Sequence, residues 1–376
     1  MVPLSFSSAE SALNAILRAA ARDGVSDIHI EPEAASVRVR LRKDGQLYEY
    51  GRLPAPIAEK LAVRAKVMGR MNVAETRIPQ DGGAAFSDGD LSYDLRMSTL
   101  PSLYGETIVI RMLSGGMEFI EKRDLGMLAV QEAAFLRALT RQSGLLLTTG
   151  PTGSGKTSTL YAALMAVNVP SVNIISIEDP IEYKIPGITQ TAINEKAGLT
   201  FAAGLRSMVR QDPDILMIGE IRDRETAEIA VHAALTGHLV LSSLHTRRAA
   251  EAPLRLMDMG IPAYLLASAL SLIISQRLIP ALCRDCRKEN PDGTWHASGC
   301  PRCQGRGRAG RTGVFEMLAV DHAVEAAIHD RKGPSVLADF FSRQHQPTMA
   351  EAARELAKMG RITEDDARLV AEEMGE

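Results

Sequence analysis

Leu13, Ile16, Leu17 and Ala20 recur at the three- and four-residue spacing of a helix with one apolar face. Ser7-Ser8-Ala9-Glu10 ahead of them has the form of a capping box, and Asp23-Gly24 is the expected stop. The pattern then switches to period two. Val37, Val39 and Leu41 alternate with Arg38, Arg40 and Arg42, which predicts a half-exposed strand turning at Asp44-Gly45. A second helix around Ile57 to Met71 and strands near Asp90 to Met97 and Thr107 to Leu113 complete a small α+β domain over residues 1–113. Ser114-Gly115-Gly116 opens a link, residues 114–124. From about Leu125 helical stretches alternate with short apolar runs: Leu145–Thr149, Ile174–Ile177, Ile215–Ile218 and Leu239–Ser242. Such runs predict buried parallel strands, so residues 125–279 read as an α/β core. Met259 to Gln276 carries no charge, but Gly260, Pro262 and several serines interrupt it, which argues for a buried helix over Tyr264–Ile274 and against a membrane span. Residues 319–376 read as a helical C-terminal region.

Composition narrows the class. A chain of 376 residues, 45% hydrophobic and 24% charged, is an ordinary globular protein of more than one domain. A net charge of −3 provides no drive toward nucleic acid, and no nucleic-acid partner is expected. The N-terminus lacks a basic patch followed by an apolar core, so no signal peptide is read. Four cysteines in that setting point to a reducing compartment and to metal.

The most informative local chemistry is Gly150-Pro151-Thr152-Gly153-Ser154-Gly155-Lys156-Thr157, directly after the apolar run Leu145–Thr149. This is the phosphate-loop pattern in its strand-to-helix context. The glycines let successive N–H groups turn inward on phosphate oxygens, and the helix opening at Lys156 adds its positive dipole end. Lys156 can reach terminal phosphates, and the Thr157 hydroxyl can ligate Mg²⁺. Asp214-Ile215-Leu216-Met217-Ile218-Gly219-Glu220 is an apolar strand ending in a carboxylate, a Walker B arrangement with Glu220 in the acidic place. Glu178-Asp179-Pro180-Ile181-Glu182 forms a second acidic cluster, and Thr236-Gly237-His238 with His245-Thr246 a third candidate set. Carboxyl ends of neighbouring strands converge on the ligand crevice of such sheets, and all these groups are expected there. Taken singly, His238 and His245 are equally well read as structural or as ligand-sensing.

Cys283-x-x-Cys286 and Cys300-x-x-Cys303 are two knuckles able to present four thiolates to one tetrahedral Zn²⁺, in a module over residues 280–318. A closed four-thiolate site is structural, with no open position for chemistry. The surrounding Arg284, Arg287, Lys288, Arg302, Arg306, Arg308 and Arg311 make the module basic; a solvated loop and a contact with an acidic or anionic-membrane partner both fit.

Seven segments in order resemble the assembly ATPases of type II secretion and type IV pilus systems: SDIHIEP (Ser26–Pro32), RIPQDG (Arg77–Gly82), DLRMSTLPSLYGE (Asp94–Glu106), the phosphate loop, IEDPIEY (Ile177–Tyr183), VRQDPDILMIGEIRD (Val209–Asp223) and ALTGHLVLSSLHT (Ala234–Thr246). The likeness runs from about residue 10 to 320 or beyond. It implies a RecA-like core preceded by a PAS-like domain, with a tetracysteine zinc-finger insert. It implies ATP, Mg²⁺ and Zn²⁺ as ligands, a homohexameric ring at the cytoplasmic face of the inner membrane, and partners among the machine's platform and cytoplasmic-membrane proteins. It further implies an acidic box (Glu178, Asp179, Glu182), a Walker B box around Glu220 and a histidine box (His238, His245). Arg96 and Arg111 match arginines that reach phosphate, and Arg206 and Arg210 match core arginines needed for activity. An arginine finger on a separate domain would make hydrolysis depend on domain closure, with ~10³–10⁵ in rate at stake. Gly83 stands where such proteins carry Arg, Tyr104 replaces a more usual His, and the chain starts almost directly at the nucleotide-proximal domain, as either a short family member or a truncated one would. Secretion, pilus extension and DNA uptake remain open as the driven process. A nucleotide-gated structural or regulatory subunit with little turnover is the alternative of another class.

Overall fold

The computed structural model describes residues 8–43, 45–89, 91–114 and 125–375. They divide into two compact units, residues 1–117 and 118–376. The expected link at 114–124 lies, Ser114 apart, outside the described residues.

The first unit contains α1 (Ala9–Asp23), β1 (Asp27–Pro32), β2 (Ser36–Lys43), β3 (Gln46–Pro54), α2 (Ala58–Met68), β4 (Gln80–Asp88), β5 (Leu91–Ser102) and β6 (Gly105–Ser114). The strands form an antiparallel sheet in the order β3-β2-β1-β6-β5-β4. Alternation decides its two faces. Ile28, Ile30, Val37, Val39, Leu41, Leu95, Met97, Ile108 and Ile110 point inward and bury against Leu13, Ile16 and Leu17 of α1 and Leu61 and Ala65 of α2. The opposite face is polar. Register sets Arg42, Asp27, Arg111, Arg96 and Gly83 side by side across five adjacent strands. Strand β4 escapes the sequence reading because Gly82 and Gly83 depress its propensity; pairing with β5 along its whole length recruits it.

The second unit contains α3 (Ala129–Leu139), β7 (Gly144–Thr149), α4 (Lys156–Val167), β8 (Ile174–Glu178), β9 (Thr189–Ala192), α5 (Phe201–Met208), β10 (Ile215–Ile218), α6 (Arg224–Leu235) and β11 (Leu239–Leu244). There follow α7 (Ala252–Asp258), α8 (Ala263–Ala269), β12 (Leu270–Leu282), β13 (Arg287–Glu289), β14 (Trp295–Ala297), β15 (Arg308–Ala319), α9 (His322–His329), α10 (Pro334–Arg343), α11 (Met349–Lys358) and α12 (Glu364–Met374). The main sheet runs β15-β12-β7-β11-β10-β8-β9, parallel throughout except for β15. Its central strands are apolar without alternation because helices cover both faces.

Two expectations need correction. The helix expected over Tyr264–Ile274 ends at Ala269, and Leu270 begins a long strand. A short apolar run fits either element by periodicity, and here pairing with β7 on one side and β15 on the other decides it. The metal module is also smaller than residues 280–318. Strands β12 and β15 stay paired out to Leu282 opposite Arg308, so only Cys283–Gly307 project beyond the sheet.

This projection and the strand ends at its base are docked on the turn between α11 and α12 and on the start of α12. Leu282 N–H donates to Arg361 O (2.8 Å), Arg287 to Gly360 O (2.6 Å) and Trp295 Nε1 to Lys358 O (3.1 Å). Arg308 grips Asp366 through two hydrogen bonds of 2.7 and 3.0 Å. Gly360 has φ +66°, and a Cβ there would stand 2.4 Å from the Trp295 ring.

Candidate functional site

Strand β7 is buried along its length and delivers the chain to Gly150 at the carboxyl edge of the sheet. Gly150 has φ +141°, and a Cβ would meet Gln276 O at 2.5 Å and Ser154 Oγ at 2.6 Å, so only glycine lets the loop pass strand β12. The Gln276 side chain then holds the loop from that strand, its Nε2 donating to Ser154 O at 2.8 Å. Pro151, Thr152 and Gly153 are exposed, Ser154 is buried, and Gly155 (φ +91°) leads into α4 at Lys156, with Thr157 exposed on its first turn. The result is an open cradle of backbone above a helix N-terminus, the form that binds phosphate.

Lys156 is half-buried, and its Nζ donates to Gly150 O (2.9 Å) and Pro151 O (3.1 Å). Burial lowers its pKa, against the pull of Glu220, and the nearby Arg277 guanidinium lowers it further. An ammonium hydrogen-bonded to carbonyls of its own loop beside a second cation is a site that favours an anion. Arg277, on β12, is a member of this cluster that sequence reading missed, because its strand was expected to be a helix ending.

The parallel strands set the remaining groups in a row. Adjacent strands are ~4.8 Å apart, so the carboxyl ends of β7, β11, β10 and β8 lie in sequence along one edge within roughly 15 Å. They carry Gly150, His245, Glu220 and Glu178 respectively. Glu220, mostly buried, is paired with Arg222 and lies 3.3 Å from His245 Nε2. Arg222 also reaches Asp179 at 3.6 Å, so one guanidinium spans the Walker B and acidic-cluster carboxylates. It too was missed, being indistinguishable in sequence from a solvated surface arginine.

Glu178 differs from the other acids. Its side chain is buried, one oxygen accepting from the Tyr161 hydroxyl and the other from Ser176 Oγ (2.5 Å) and Gln190 Nε2 (3.2 Å). Asp179 is exposed and Glu182 half-buried on the loop that follows.

Three expected residues lie elsewhere in this unit. His238 precedes β11, while His245 follows it, so the expectation that both histidines sit at the carboxyl edge is corrected: a six-residue strand separates them by ~20 Å. His238 Nδ1 lies 3.0 Å from Ala233 O, against the end of α6. Arg206 and Arg210 are exposed, the first paired with Glu225 and the second donating to Arg206 O at 2.8 Å.

In the first unit, Arg96 and Arg111 stand directly opposite each other on β5 and β6. Like charges in that position destabilise a sheet unless an anion offsets them. Asp27, on the strand next to Arg111, does so in part through a 2.8 Å hydrogen bond from Arg111 Nε. Gly83, opposite Arg96 on the other side, adds no charge to the row.

The four cysteine sulfurs lie within 4.8 Å of one another. Three of the separations are 3.7, 3.7 and 3.8 Å. A tetrahedral ion with metal–sulfur bonds of about 2.3 Å requires sulfur–sulfur edges of about 3.8 Å, so the cluster fits such an ion. Burial raises the Cys303 thiol's pKa, but the N–H groups of Cys300 and Gly307 (3.1 and 3.2 Å from its Sγ) and the neighbouring thiols outweigh it and hold that thiol below its ordinary range, while burial pushes Cys286 up. A metal ligates the thiolate form.

Among the described residues no helix is long and apolar enough to cross a membrane. The "Type II secretion system ATPase E" of Vibrio cholerae is 41% identical over 96% of this chain and 75% of its own length. The "Type IV pilus assembly ATPase PilB" of Thermus thermophilus is 42% identical over 93% of this chain and 41% of its own length. Among solved structures, the pilus retraction motor PilT with bound ADP superposes with a TM-score of 0.67 at 29% identity, covering 95% of this chain and 96% of that one. Residues 4–372 match the family described as Type II/IV secretion system protein. With the phosphate loop, the Walker B carboxylate and the four-thiol cluster in place, the chain belongs to the Type II/IV secretion system protein family.

Proposed function

We propose that this chain is a motor ATPase of a secretion or pilus machine, working as a homohexamer that couples ATP hydrolysis to pseudopilus or pilus assembly. The observation that supports it most is the joint placement of the Gly150–Thr157 cradle and Glu220 on one sheet edge. Lys156 and the loop N–H groups hold the phosphates. The Thr157 hydroxyl and Glu220 would hold Mg²⁺, which would supply charge neutralisation on the phosphate oxygens. Water attacks the terminal phosphorus in line, and the bond to the bridging oxygen breaks to leave ADP. The half-buried Glu182 and Glu220 are the candidates to orient that water, whereas the Glu178 side chain is buried and held there by hydrogen bonds to both its oxygens. Arg96 and Arg111, directly opposite each other on β5 and β6, neutralise the charge that develops in transfer. The cysteine cluster takes one structural Zn²⁺. The assembly sits at the inner face of the cytoplasmic membrane, on membrane proteins of its machine.

The test is Glu220→Gln, which keeps the side chain's size and removes its charge. It should still bind a fluorescent ATP analogue while phosphate release falls by about 10² or more. Release at the wild-type rate would remove Glu220 from the site.

A further inference from the structure

We propose that Tyr161 is a positioning residue for phosphoryl transfer, its hydroxyl clamping the acidic loop to the helix that carries Lys156 and Thr157. The proposal rests on the ATPase reading above. Tyr161 lies on α4 beyond Lys156 and is 0% exposed. Its hydroxyl donates to Glu178 and accepts from the backbone N–H groups of Glu182 (3.0 Å) and Tyr183 (3.3 Å). A phenol offers one donor and two acceptor positions, and all three are used here. One oxygen therefore joins the phosphate-loop helix, the end of β8 and the loop that carries Asp179 and Glu182.

The loop is closed from its other side by Gln190. Its Nε2 donates to Tyr183 O (2.9 Å) and Glu178 (3.2 Å), and its Oε1 accepts from Ile185 N–H (2.7 Å). The Tyr183 ring meets the Tyr161 ring edge-on at 5.6 Å. Glu178 is the charged acceptor at the centre of this network, which makes the phenol's bond to it a strong one. Burial, with the Glu178 charge beside it, pushes the Tyr161 pKa up, so the hydroxyl keeps its proton and remains a donor. Had packing been the only requirement, phenylalanine would fill the same volume. The hydroxyl is needed because one Glu178 oxygen and two loop amides converge on it in the interior, and a phenylalanine would give none of the three a partner there. Glu182 is thus held through its own amide. A carboxylate that orients water loses about 10² in rate when displaced by ~1 Å.

The experiment measures steady-state phosphate release by the full chain with Mg²⁺ and ATP, together with ADP affinity and thermal melting. Tyr161→Phe should lower kcat by about ten- to a hundredfold while KM and ADP affinity move less than about threefold. Glu178→Leu removes the phenol's acceptor and should fall as Tyr161→Phe does. If Tyr161→Phe is too unstable to assay, Glu178→Leu carries the test. Wild-type kcat in folded Tyr161→Phe overturns the proposal, and so does wild-type kcat in folded Glu178→Leu. A wild-type chain with no turnover overturns the ATPase reading and this proposal with it, whereas the preceding outcomes leave that reading standing.

Discussion

Stripping metal from the cysteine knuckle should loosen a turn far from it in sequence, at Lys358–Arg361. Arg287 and Trp295, both within the knuckle, donate to the carbonyls of Gly360 and Lys358, and the indole covers Gly360. A hydrogen bond from a charged donor contributes about 1.5–3 kcal/mol and a neutral one about 1 kcal/mol, so a melted knuckle removes roughly 2.5–4 kcal/mol from this turn. Two ties survive because their donors belong to the strands: Leu282 to Arg361 and Arg308 to Asp366. Unfolding is therefore expected to be local. Hydrogen exchange with and without a zinc chelator is the assay. The amides of Met359, Gly360 and Arg361, which close the α11 terminus on Glu355, Ala357 and Leu356, should exchange two to three orders of magnitude faster without metal. Those of β7 and α4 should be unchanged. Equal protection of the turn with the metal fully removed would refute the docking energetics. Loss of protection across the main sheet would refute the claim that the knuckle is a local element.

Gly360→Ala should lower the melting temperature by several degrees, as the left-handed φ and the Trp295 ring together cost about 1–3 kcal/mol; an unchanged melt would contradict the packing. Gly150→Ala should cut ADP affinity at least about tenfold, because the added methyl meets the β12 backbone; equilibrium titration with a fluorescent nucleotide decides it. Arg96→Ala and Arg111→Ala should each reduce phosphate release by about 10² or more with smaller effects on nucleotide affinity, and rates equal to wild type would remove them from catalysis.

The phosphate loop, the Walker B strand and the cysteine pairs are readable because their chemistry needs contiguous residue types. Glycines must turn at Gly150 and Gly155, and thiols must come in knuckle spacing. Groups brought in by pairing are not readable that way. Arg277 and Gln276 reach the loop because Leu270–Leu282 is a strand beside β7, and apolar periodicity over so short a run does not separate strand from helix. Arg222 and Tyr161 carry no local signal: one resembles a surface cation and the other a core aromatic, and their partners lie on other strands. His238 and His245 form an apparent pair only in one dimension, since the intervening strand carries them to opposite edges of the sheet. The Arg111–Asp27 pair likewise depends on β1 lying next to β6, an order set by topology.

Steady-state phosphate release by the purified full chain with Mg²⁺ and ATP, wild type against Lys156→Ala, tests the central claim most directly. Lys156 is the cation of the cradle, half-buried with carbonyls of its own loop as its hydrogen-bond acceptors. The wild-type chain should hydrolyse ATP, and Lys156→Ala should fall to background while its melting temperature stays close to wild type. A variant that releases phosphate at the wild-type rate, or a correctly assembled wild type that releases none, would contradict the account.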